Sequence, residues 1–116
     1  MNQDESQAVI AKIDDAVARG RAIKFCEQTP DNQFPEISWQ IFGLIETNEV
    51  AVVARCGELR LAVSRESGLL YPAMADRMFG IDVADQELAM QLSDELWARE
   101  SEKLMSEVNR VRGCDP

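Results

Sequence analysis

The chain contains no histidine. That removes the commonest general base, the usual metal ligand and the imidazole of nucleophilic triads. Acid–base or nucleophilic work would fall to carboxylates, lysines and thiols. Three cysteines, Cys26, Cys56 and Cys114, are odd in number and form no CxxC pair, so neither a disulfide framework nor a thiolate zinc site is expected. The phosphate-loop, dinucleotide and hydrolase-elbow patterns (GxxxxGKS/T, GxGxxG, GxSxG) are missing, as are an EF-hand loop and any D-x-D stretch. Aromatics make up only 6% of the chain, so most are needed in the core of so small a protein. No apolar run approaches the ~20 residues that a membrane-spanning helix requires. The polar, acidic opening Met1–Ser6 is the opposite of a secretory n-region, which makes the cytoplasm, of the encoding cell or of a host cell, the expected compartment.

Negative charge, by contrast, is abundant. The 116 residues carry 21 acids against 12 bases, a formal charge of −9. The excess is spread along the chain with no block of five like charges and no acidic tail. Direct nucleic-acid binding is disfavoured, because phosphate contacts need a basic face. Diffuse negative charge serves solubility; it also suits a basic partner, including one that normally grips nucleic acid.

The span Asp82 to Gly113 reads as one long amphipathic helix. Asp82 is an N-cap, Asp85 and Glu87 fill the opening turns, Arg110 and Arg112 fill the last, and Gly113 stops it. Its apolar residues form two rows. Leu88, Leu92 and Leu96 repeat every four residues; Met90, Trp97, Leu104 and Val111 repeat every seven. Together they cover an arc of roughly 200°, wider than the ~100° stripe of a helix with one buried face. Both rows are expected to be buried against a sheet or between two elements, or else the Trp97 row meets a second chain. Ser93, Glu100 and Glu107 fill the places of a d partner, which argues against a regular coiled coil.

Upstream, Asp4 to Arg19 reads as a helix with Val9, Ile13, Ala16 and Val17 on one side and Gly20 as its stop, covering a sheet edge or a neighbouring helix. Arg21 to Glu27 alternates as a strand, and Gln28 to Glu36, with Pro30 and Pro35, is a loop. Ile37 to Glu46 fits either strand or helix. Val50 to Ser64 is better read as a hairpin turning at Arg55-Cys56-Gly57-Glu58. A short helix is expected from about Leu70 to Phe79, lined by Met74 and Met78 and ended by Gly80. The fold expected is α+β in one domain of 116 residues: an N-terminal helix, an antiparallel meander of three or four strands, a short helix, and the long helix packed on the sheet. The alternative is an all-α bundle of about five helices.

No catalytic residue, metal ligand or cofactor site is expected. Asp14-Asp15 and Asp94-Glu95 are adjacent on helices and diverge by about 100°, and Cys26 and Cys56 lie in apolar stretches. Binding is what remains. Asp94, Glu95 and Glu102 on the polar side of the long helix are the candidate contacts for a basic protein surface. Met74, Met78, Phe79 and Trp97 are the candidate apolar anchors. The leading expectation is a small acidic inhibitor or adaptor, monomeric or homodimeric, that blocks a nucleic-acid-handling complex. Inhibitors that phages and mobile elements direct against host defence, such as anti-CRISPR proteins, have this size and charge and lack a catalytic constellation. The alternatives are a cognate export chaperone or immunity protein, and a small enzyme using carboxylates or Cys26 and Cys56.

Overall fold

The computed structural model describes residues 2–28, 33–67 and 83–113. Helix α1 (Asn2–Ala18) leads into strands β1 (Ala22–Gln28), β2 (Ser38–Leu44), β3 (Glu49–Cys56) and β4 (Leu59–Glu66), and α2 (Val83–Arg112) closes the described chain. The strands form one antiparallel sheet in the order β1-β2-β3-β4. This is the α+β meander with a long helix packed on it, and the five-helix alternative is excluded. The short helix expected at Leu70 to Phe79 lies outside the described residues.

Local chemistry sets the turns. Gly20 ends α1 at φ 70° and Gly113 follows α2 at φ 73°, the left-handed conformation that glycine adopts without a Cβ penalty. Gly57 and Glu58 join β3 to β4, with Gly57 at φ 59°, the glycine-first pattern of a two-residue hairpin. Asn48 also takes a positive φ, 55°. It exchanges bonds with Ser67, whose N–H donates to the Asn48 carbonyl while Asn48 Nδ2 donates to the Ser67 carbonyl. The ambiguous Ile37 to Glu46 stretch is a strand, because Ser38 to Leu44 finds a partner on each side, β1 and β3. In β1 the register shifts between Lys24 and Cys26, a bulge that breaks the simple alternation read from the sequence.

The sheet is covered on both faces. Val50, Val52, Ala54, Cys56, Leu61 and Val63 pack against Ala89, Leu92, Leu96, Leu104 and Val108 of α2. Ala51, Val53, Ala62 and Leu44 pack against Ile10, Ile13 and Ala16 of α1. The central β3 is therefore apolar on both sides, which is why its apolar residues, Val50, Ala51, Val52, Val53 and Ala54, run consecutively. α1 covers this second face, where the sequence suggested only an edge or a helix. It also caps the β4 edge: fully buried Ser6 accepts the Ala62 N–H through its hydroxyl at 2.8 Å, and Arg99 Nη2 donates to the Ala62 carbonyl at 3.5 Å. Two ladder groups that would otherwise template another strand are thus occupied.

The wide apolar arc of the long helix has a specific resolution. Leu88, Leu92, Leu96, Glu100, Leu104 and Val108 recur every four residues. On an unbroken helix such a row advances about 40° per step, so Val108 would lie about 160° round from Leu92. Glu100 departs from helical geometry, at φ −122° and ψ 15°, and both half-rows reach the same sheet face. Met90 and Val111, counted among the buried rows by spacing, stand 67% and 47% exposed. A kink that re-aims one face replaces the second neighbour that the arc implied.

Candidate protein-binding face

The carboxylates of α2 separate into those that hold the fold together and those that face solvent alone. Glu95 accepts from Arg65 of β4 at 2.6 Å. Glu107 binds Arg110 one turn on, and that contact holds its carboxyl below the usual range. Glu100, 3% exposed, sits between Lys103 Nζ at 3.2 Å and Arg99 Nε at 3.4 Å. At the C-terminal end, Arg112 donates to both oxygens of Glu36 and to the Gln33 carbonyl. The Glu36 carboxyl is correspondingly lowered. The Arg112 guanidinium lies 6.0 Å from the Phe34 ring, and Phe34 in turn lies 6.0 Å from Trp97, so this end of α2 is stapled to the segment before β2.

Glu87, Asp94 and Glu102 have no ion-pair partner among the described residues. They are exposed and share the outer face of α2 with Gln91, Ala98 and exposed Met90. Glu87 to Glu102 spans roughly 22 Å at 1.5 Å per residue, a length suited to a row of contacts. The seven-residue spacing keeps Glu87 and Asp94 on one side ahead of the kink at Glu100, and Glu102 is exposed just beyond it. Glu58 and Glu66 likewise have no ion-pair partner among the described residues. Nearly every described cation, meanwhile, is engaged: Lys12 with Glu49, Arg19 with Asp15 and Glu46, Lys24 with Glu27, Arg60 with Asp14. The exception is Arg55.

Of the residues singled out from sequence, Asp94 and Glu102 stand together on this face, while Glu95 turns aside to Arg65. Trp97 is half-buried, packed at the edge of the main core against Phe34. Met74, Met78 and Phe79 lie outside the described residues. Glu87 and Met90 were not singled out. The seven-residue interval from Glu87 to Asp94 was the available signal, but helix spacing alone does not say which carboxylates a distant arginine will claim.

Of the thiols, the structure describes the side chain of Cys56. Cys56 is fully buried. Burial pushes its thiol up, reinforced by the negative charges of Glu107 and Glu36, the opposite of what a nucleophile requires. Cys114 lies outside the described residues. Among the described residues no three His, Cys, Asp or Glu side chains gather as metal ligands, and no helix is long and apolar enough to cross a membrane. Comparison with protein-family models, with curated proteins and with solved structures finds no match to this chain.

Proposed function

We propose that the protein acts by binding, as a small acidic inhibitor or adaptor that presents the outer face of α2 to a basic surface on a protein partner. One observation carries the reading: the carboxylates left over after internal pairing include a row, Glu87, Asp94 and Glu102, on a helix anchored by its opposite side to the sheet. Such a row is preorganised, so little side-chain or backbone order is lost on docking. It steers a cationic partner through the field of a −9 molecule. A surface that ordinarily holds nucleic-acid phosphates has the complementary charge, and occupying it would block that use. An anti-defence inhibitor of a nucleic-acid-handling complex fits this chemistry, and so does an immunity or export chaperone role toward one basic effector.

The test is charge reversal guided by the pairing pattern. The triple variant Glu87→Lys, Asp94→Lys, Glu102→Lys removes no internal ion pair, so its circular dichroism and melting temperature should match the wild type. Affinity capture from the native cell, read by mass spectrometry, should return a basic protein with the wild type and lose it with the variant. For the purified pair the affinity should fall roughly a hundredfold and lose most of its salt dependence. Capture that is indifferent to the triple reversal would dispose of the reading. Glu95→Lys, which breaks the Arg65 pair, should add little to that binding loss.

A further inference from the structure

On the sheet face opposite α2, α1 leaves a cleft of about 410 Å³ between itself and the strands. Its lining is half apolar, with Ile13, Val17, Phe42 and Val53 among the contributors, and half polar; Val17 stands 52% exposed. Three cations line it, Lys24, Arg55 and Arg60, against one carboxylate, Asp14. In a chain with 21 acids and 12 bases this is a local reversal of sign. Two of the cations are engaged: Lys24 Nζ reaches Glu27 at 2.8 Å, and Arg60 holds Asp14 through both terminal nitrogens at 3.0 Å. Arg55 has no acidic partner among the described residues. It also lies directly across the β3–β4 ladder from Arg60, and like charges in that position oppose one another and weaken the pairing.

We propose that this cleft binds a small amphiphilic anion, an organic carboxylate whose head group sits on Arg55 beside Arg60 and whose apolar body lies along Phe42 and Val53. Such a head group supplies Arg55 with the carboxylate partner that each neighbouring cation already has and relieves the Arg55–Arg60 opposition. The volume lies in the range of small-molecule sites, and a lining divided between apolar and cationic side chains matches a ligand with an apolar body and an anionic head. The site is independent of the partner-binding face, since α1 and α2 lie on opposite sides of the sheet.

The experiment is a titration of the full chain followed by amide NMR, with octanoate and phenylpropanoate as probes below their aggregation concentrations. Octanol and inorganic phosphate serve as the uncharged and the headgroup-only comparisons. At least one carboxylate probe should give saturable shifts centred on Lys24, Phe42, Val53, Arg55 and Arg60, with octanol and phosphate each binding distinctly more weakly. Arg55→Gln removes no internal contact and should weaken binding roughly tenfold; Arg65→Gln, on the α2 side, should leave it unchanged. The proposal is overturned if neither carboxylate saturates those amides, if octanol or phosphate alone matches them, or if Arg55→Gln binds as tightly as the wild type. None of these results bears on capture by the outer face of α2, which stands or falls on its own variant.

Discussion

Glu100 interrupts a row of leucines and a valine with a charge. A row repeating every four residues wants an apolar side chain there, yet the glutamate is buried in place, its Oε2 without a hydrogen bond and close to the equally unsatisfied Nε of Arg99. A charge so placed is tolerated because Arg99 and Lys103 flank it and their tips stay partly in water. The non-helical backbone falls on the same residue, which ties the kink to the buried ion cluster. Reversing the charge would leave three cations together at the edge of the core. Glu100→Lys should therefore cost about 3–5 kcal/mol of folding stability, whereas Glu100→Gln, keeping shape but not charge, should cost about 1–3 kcal/mol. Urea unfolding of the two variants checks this; equal stabilities would show that the carboxylate's charge does not hold the site.

Among the elements, what could be read from sequence was what rests on local chemistry. Gly20, Gly57 and Gly113 were placed as stops and turns because a positive φ all but demands glycine. The meander was readable from valine content and alternation around Gly57. Features that depend on distant residues were not. The bulge in β1 answers to its pairing with β2, the kink in α2 to the sheet beneath it, and the pairing of Arg112 with Glu36 joins residues far apart in the chain. For α1, the stripe expected from spacing, Val9, Ile13, Ala16 and Val17, leaves out Ser6 and Ile10, which are buried, and takes in Val17, which is not. The helix is rotated toward β4 by the Ser6 bond to Ala62, a contact that no helical period encodes. Where turn and helix meet, a prediction follows. A Cβ on Gly57 would stand 2.9 Å from Glu107 Oε2 and 3.1 Å from Val111 Cγ2. Those flexible tips can yield, but the positive φ cannot be relieved, so Gly57→Ala should destabilise by about 1–2 kcal/mol. Chemical denaturation should show this with an unchanged m-value, and a neutral result would mean that the hairpin can adopt another turn.

At the scale of the whole molecule, the decisive quantity is how the negative charge divides between paired and unpaired carboxylates. Asp14, Glu27, Glu36, Glu46 and Glu107 each accept bonds from a neighbouring cation, Arg60, Lys24, Arg112, Arg19 and Arg110 in turn, and each is held below its ordinary value. Glu49 is lowered too, bonds from Thr47 and Lys12 outweighing the burial that would raise it. A carboxyl with a depressed folded-state value binds its proton later in the folded chain than in the unfolded one. Its stabilisation is therefore complete above the ordinary value, 3.8 for Asp and 4.5 for Glu, and is lost as the pH falls through the lowered value. The exposed Glu58, Glu66, Glu87, Asp94 and Glu102 have no such ion-pair partner among the described residues and add to the self-repulsion of a −9 chain. The melting temperature in dilute solution should accordingly hold from about pH 7 to about pH 4.5, then fall steeply toward about pH 3 as the paired carboxylates are neutralised. Each pair is exposed and individually weak, so the steepness comes from several being lost together, among them the contacts that fasten α1 to β4 and α2 to the segment before β2. Circular dichroism melts across that range test the division. A melting temperature still climbing at about pH 3 would show that repulsion among the acids, not their pairing with Arg60, Arg112 and the rest, governs the stability of the fold.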